Sequence, residues 1–148
     1  PGFAHGFLTL EDNTIFSYLK KKHDKVIMIG SDSPHLSAST IIKSNNLLNK
    51  HPCVIGPSID GGFYLFASKT SIPQNIWTNV SYSKESTLED LVHALKKHNI
   101  PVTLLSKQED VDNLDDLISV FKILKKSKDL LPKQKNLYNW LKSWAQQI

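Results

Sequence analysis

The 148-residue chain contains no arginine; all 18 of its basic residues are lysine. Arginine supplies the bidentate fork that reads guanine and grips phosphate, so its absence argues against a nucleic-acid surface despite a net charge of +4. The lysines gather at 20–22, 96–97, 125–128 and 133–135. Most of these places are expected helix C-termini, where cations favour the macrodipole, and a solvated helical surface accounts for them. A single cysteine, Cys53, excludes an internal disulfide and a cysteine-built metal site. Its neighbours Pro52, Val54 and Ile55 point to a buried, inert thiol. No apolar run comes near the roughly 20 residues that cross a bilayer. No charged-then-apolar signal opens the chain, so a cytoplasmic protein with no membrane partner is expected. The six histidines show no metal-type spacing, and Ser31 and Ser33 lack the context of a nucleophile elbow. Internal repeats and low-complexity tracts are missing too. The chain opens on Pro1 rather than Met, as a processed chain or a segment of a longer one would.

What is present is an ordinary globular composition, 40% hydrophobic and 22% charged, of about one domain. The run Val26-Ile27-Met28-Ile29-Gly30 reads as a central strand buried on both faces. Asp12 or Asn13 can cap a helix before it, carrying Ile15, Phe16 and Leu19. Ser37 caps a second helix reaching about Asn49, and strands follow at 53–56 and 63–67. Residues 69–83 read as a loop, and a helix runs from about Lys84 to His98. A strand at 101–105, an acidic turn, and helices at about 114–126 and 134–146 complete the chain. Strands alternating with helices of this length indicate a layered α/β sheet with crossover connections. Residues 1–126 form the domain, and 127–148 a helical appendage whose tryptophans dock on it.

Three acidic turns carry the candidate chemistry: Asp32, Asp60 and the pair Asp110/Asp112. In a mainly parallel sheet, turns that follow strands gather at one edge, where ligands bind. Converging hard oxygen donors suit Mg²⁺ or Mn²⁺. Each acid also has a plainer reading. Asp32 can shape an Asx turn with Ser33 and Pro34, Asp60-Gly61-Gly62 is a hairpin signal, and Asp112-Asn113 can cap the next helix. His35 stands apart from the other histidines because it sits next to Asp32 and can line the same pocket.

Together, Gly30-Ser31-Asp32-Ser33-Pro34-His35-Leu36, Gly56-Pro57-Ser58-Ile59-Asp60-Gly61-Gly62-Phe63-Tyr64-Leu65 and Asp110-Val111-Asp112-Asn113-Leu114-Asp115-Asp116-Leu117 resemble one pattern. It is that of the GT-A-type glycosyltransferases of the nucleotide-diphosphosugar transferase superfamily, nearest to the selenodomain-associated transferase 1 family. The family runs G-x-D-x-P-x-L, then G-P-x-x-D-G-G-[YF]-Y-L, then D-x-D-T-P-E-D-L, and order and spacing agree across about residues 5–120. The resemblance implies a Rossmann-like three-layer α/β sandwich that lacks the family's first βαβ portion, with its glycine- and basic-rich nucleotide loop. It implies a metal-dependent transfer of a sugar from a nucleotide-sugar donor, with Mg²⁺ or Mn²⁺ held by Asp32 and Asp112. Asp60 becomes the catalytic residue, on the acceptor or sugar side of the cleft. Gly30, Ser31, Pro34, His35, Gly61, Gly62 and Tyr82 line the substrate cleft, Tyr82 standing where the family has a tryptophan. Nucleotidyl transfer on the same fold, and a non-catalytic half of a split protein, are the alternatives. Without the first strands, the Val26–Ile29 strand keeps an unpaired edge, which implies a homodimer or a partner chain.

Overall fold

A computed structural model describes residue 17 and residues 20–145. The expected helix over Ile15, Phe16 and Leu19 lies outside the described residues. Four strands, β1 (Val26–Ile29), β2 (Cys53–Pro57), β3 (Phe63–Ser68) and β4 (Val102–Leu104), form one sheet in the order β1-β3-β2-β4. β3 pairs antiparallel with both β1 and β2, and β2 pairs parallel with β4. Strands β1, β2 and β4 therefore run in one direction, and their C-terminal ends share one edge.

Helices cover both faces, as the composition of the strands requires. Alternation along a strand sends Ile55 and Phe66 to one face and Val54, Leu65 and Ala67 to the other, all of them fully buried. On the first face lie Ile76 and Trp77 of α2 (Gln74–Thr78) and Leu91 and Leu95 of α3 (Thr87–Lys97). Phe66 and Trp77 meet edge-on, with centroids 4.8 Å apart. On the second face, Ile41 and Leu47 of α1 (Ala38–Leu47) pack with Leu48 and Leu36. Helices α4 (Leu114–Lys126) and α5 (Pro132–Trp144) close a third cluster around Val120, Leu124 and Leu141. Trp144 packs against that cluster, while Trp140 is exposed.

Local chemistry sets the helix boundaries. The Ser37 side chain accepts from Thr40 N, and Asn113 caps α4 in a reciprocal box with Asp116. Pairs of lysines end α3 and α4, as their positions in the sequence suggested. Pro132 occupies the first turn of α5, so that helix starts two residues earlier than its apolar stripe indicates. The stretch 69–83 contains α2, which is too short to show a periodicity. Cys53 is fully buried, and desolvation pushes its thiol up to about 12, which makes it inert at neutral pH. Among the described residues, no helix is long and apolar enough to cross a membrane.

β1 is not a strand buried on both faces. It ends the strand order among the described residues, only Val26 is fully buried, and Ile29 is 44% exposed. An apolar run reports the faces of a strand but does not count its neighbours.

Candidate metal centre

Three loops leave the shared strand edge, one after β1, one after β2 and one after β4. The loop after β2 is the tip of the β2–β3 hairpin. There Ser58 N donates to Gly62 O at 3.0 Å, and Gly62 N donates to the Asp60 carboxylate at 2.9 Å. Gly61 adopts φ +93°, and a Cβ on it would collide with the backbone of Glu85. That position thus demands glycine twice over, for conformation and for space. Leu88 N, at the start of α3, donates to Gly61 O and fixes the tip against the loop before α3. The same loop is braced by buried Thr87, whose hydroxyl donates to the carbonyls of Ser81 and Lys84. Asp60 is thus both the hairpin residue and an exposed carboxylate projecting at the sheet edge.

The loop after β4 continues the parallel pairing. Gln108 N donates to Pro57 O and Gln108 O accepts from Ile59 N, at 3.0 and 3.1 Å. Val111 N then donates to Asp32 O at 3.0 Å, which ties this loop to the one after β1. Asp110 lies between those two ties and Asp112 just beyond the second, two residues apart, the spacing that shares a side in extended backbone. The helix cap falls to Asn113 rather than Asp112, so the Asp112 carboxylate takes no part in the box.

These constraints bring Asp60, Asp110 and Asp112 together, each offering a carboxylate oxygen within 4.8 Å of the others. The electrostatics register the crowding. Asp110 is pushed up to about 6, first by burial and then by repulsion from Asp60, Asp112 and Asp32. Asp32 is also raised, chiefly by burial, with Asp112 and Asp60 adding repulsion. Asp32 therefore lies in the field of the cluster, but the tight trio is completed by Asp110. Asp110 was visible in the sequence as one of a pair, and its two-residue spacing from Asp112 was the signal that both belong together.

The other expected site residues take distinct places. Gly30 is buried and donates from its N–H to Tyr64 O at 2.9 Å, while Ser31 is exposed. Pro34 and His35 belong to the loop after β1, and His35 is buried. Gly62 supports Asp60 through its N–H. Tyr82 packs against the cluster around Trp77, with its hydroxyl donating to Trp77 O, and burial raises its phenol. Core packing accounts for that ring. Sequence reasoning passed over Gln134, 100 residues from the loop it holds. Its side-chain amide donates to Pro34 O at 2.9 Å and to Leu36 O at 3.0 Å. No local pattern signals a contact of that separation.

The group found among the described residues is three carboxylates, a hard, all-oxygen donor set, which fits Mg²⁺ or Mn²⁺ and disfavours softer metals. The raised Asp110 shows that the trio is held together at an electrostatic cost, one that a bound cation would relieve.

Residues 12–84 match a family described as "Uncharacterized protein conserved in bacteria (DUF2064)". The structure is similar to a crystal structure of a protein from Desulfovibrio desulfuricans G20 provisionally named a nucleotide-diphospho-sugar transferase. The TM-score is 0.78 at 23% identity, covering 95% of this chain and 62% of that one. The likeness shows the fold: a mixed α/β sandwich of nucleotide-diphospho-sugar transferase type. The chain spans 62% of the length of that protein.

Proposed function

We propose that the chain is the metal-binding part of a transferase that moves a sugar from a nucleotide-sugar donor, of the kind found in the selenodomain-associated branch. The convergence of Asp60, Asp110 and Asp112 at the ligand-binding edge of this fold carries the reading. Asp110 and Asp112 would hold Mg²⁺ or Mn²⁺, with Asp32 and Asp60 completing its surroundings. When bound, the cation neutralises charge on the departing phosphates of the donor. The protein contributes rigidity. Backbone ties through Gln108, Val111 and Gly62 hold the carboxylates in place before any ligand arrives.

Calorimetry with Mn²⁺, followed by a panel of nucleotide-sugars and nucleoside triphosphates, tests the proposal. Mn²⁺ binding that weakens at least tenfold in Asp110→Asn and Asp112→Asn, and metal-dependent binding of a nucleotide-sugar, are expected. Triphosphates binding in place of nucleotide-sugars would move the reading to nucleotidyl transfer. Absence of Mn²⁺ binding in the native chain would leave a non-catalytic relative.

Among the described residues β1 pairs on one side only, which supports an associated state, a second copy or a partner chain adding a strand there. Light scattering is expected to give a mass near twice 16.7 kDa for the chain alone. A clean monomer across the micromolar range overturns self-association.

A further inference from the structure

The hairpin tip that carries Asp60 does not hold its shape alone. Leu88 N, one of the first-turn amides that a helix leaves without an internal partner, donates to Gly61 O at 2.9 Å. Gly61 also backs directly onto the loop before α3, since a Cβ there would lie 2.1 Å from Glu85 O and 2.5 Å from Glu85 Cα. From this clamped residue the chain passes to Gly62, whose N–H holds the Asp60 carboxylate at 2.9 Å. The place of Asp60 in the trio thus depends on the shape of the loop from Ser81 to Ser86.

One side chain shapes that loop from inside. Thr87 is fully buried, and its hydroxyl lies 2.9 Å from Ser81 O and 2.7 Å from Lys84 O, its hydrogen shared between the two carbonyls. The same oxygen accepts from Lys84 N at 3.1 Å, and Thr87 N donates to Lys84 O at 3.0 Å. The turn closed in this way holds Ser83 at φ +59°, in the left-handed region that residues other than glycine enter at a cost. Such a conformation persists only where its surroundings over-determine it, and the bonds to Thr87 from either side of Ser83 do so. Tyr82 secures the chain just before Ser83, its hydroxyl donating to Trp77 O.

We propose that Thr87 is a positioning residue for the cation site. Its buried hydroxyl fixes the loop against which Gly61 rests, and thereby holds Asp60 beside Asp110 and Asp112. This role rests on the trio being a site for Mg²⁺ or Mn²⁺. Thr87 itself touches neither cation nor substrate. Without its hydroxyl, Ser81 O loses a donor and Lys84 N an acceptor, so the turn relaxes, the hairpin tip follows through Gly61, and one carboxylate moves away from the other two. Outer residues that orient metal ligands are worth roughly ten- to a hundredfold in affinity, and Thr87, acting through the loop and Gly61, belongs at the lower end of that range.

The test is calorimetry with Mn²⁺ on the native chain, Thr87→Val and Thr87→Ser, beside amide spectra of each in EDTA. Valine keeps the shape and removes the hydroxyl, and serine keeps the hydroxyl. Thr87→Val is expected to weaken Mn²⁺ about tenfold and to shift the Gly61 and Gly62 amide signals, and Thr87→Ser to restore both. Val92→Ala trims a half-buried side chain on the same helix, away from the loop, and is expected to lower stability while leaving Mn²⁺ affinity unchanged. Native affinity in Thr87→Val, an equal loss in Val92→Ala, or unmoved glycine signals in Thr87→Val would each overturn the proposal. If the native chain binds no Mn²⁺, the cation reading falls, and the glycine signals then decide whether Thr87 positions Asp60. If Thr87→Val does not fold, Ser83→Val carries the test, because a β-branched side chain at this exposed residue opposes φ +59° and forces the loop from outside. The same loss and the same shifts are expected there, and unchanged binding overturns the proposal.

Discussion

Strands β1 and β2 look alike in the sequence and live differently in the fold. Both are short apolar runs, both point the same way, and both end in an aspartate-bearing loop. Every residue of β2 is buried, whereas β1 has one buried residue, two partly buried and one exposed. The difference lies in the neighbours. β2 sits between β3 and β4, and β1 pairs only with β3 among the described residues. Burial of a strand is thus a property of its position in the sheet, and the loop it carries inherits that difference. The Asp60 loop is fixed by backbone bonds on both sides, to the start of α3 and to the Gln108 segment. Among the described residues, the Asp32 loop is held by the Val111 tie and by the reach of Gln134 from α5.

The comparison can be broken most directly by truncating one isoleucine on each strand. Ile55 is fully buried in the cluster that also holds Phe66 and Leu95, so Ile55→Ala should cost about 3 kcal/mol, transfer and cavity terms together. Ile29, 44% exposed at the end of β1, should cost under about 1 kcal/mol on the same change. Urea denaturation, with the slope unchanged, measures both. Equal losses would mean that β1 is covered as fully as β2, by residues outside those described.

Most of the fold was legible because its signals are local. The caps at Ser37 and Asn113, the lysines closing α3 and α4, the alternation in β3 and the hairpin at Asp60-Gly61-Gly62 all act within a few residues. What escaped depends on distance along the chain. The edge position of β1 is a matter of pairing, α2 is too short to show a period, and the Gln134 clamp spans the molecule. The acids of the candidate site were visible one by one, and their gathering followed from three parallel strands sharing an edge. Which of them form the tight trio was not visible. That depends on the bridge between Ser58 and Gln108, which carries Asp110 beside Asp60.

The subtlest contrast lies between residues that stabilise the sheet and residues that tax its edge. In the unfolded chain the Asp110 carboxyl titrates near about 4, and in the folded chain it is pushed up to about 6 by burial and by three neighbouring carboxylates. The native state therefore holds that proton more tightly than the unfolded state does. The resulting penalty on folding is absent below pH ~4, grows between ~4 and ~6, and is complete above that. Because the group is only half-buried, solvent screening cuts the penalty to about 1 kcal/mol. Asp110→Asn keeps the shape and removes the charge, so without metal it should be about 1 kcal/mol more stable than the native chain at pH 8. The gap should close towards pH 4, as read by urea denaturation in EDTA. Added Mn²⁺ should reverse the order, since a ligand that binds only the folded native chain stabilises that chain alone. An Asp110→Asn chain less stable than the native one at pH 8 would make Asp110 a structural residue and remove the strongest sign that this edge is kept for a cation.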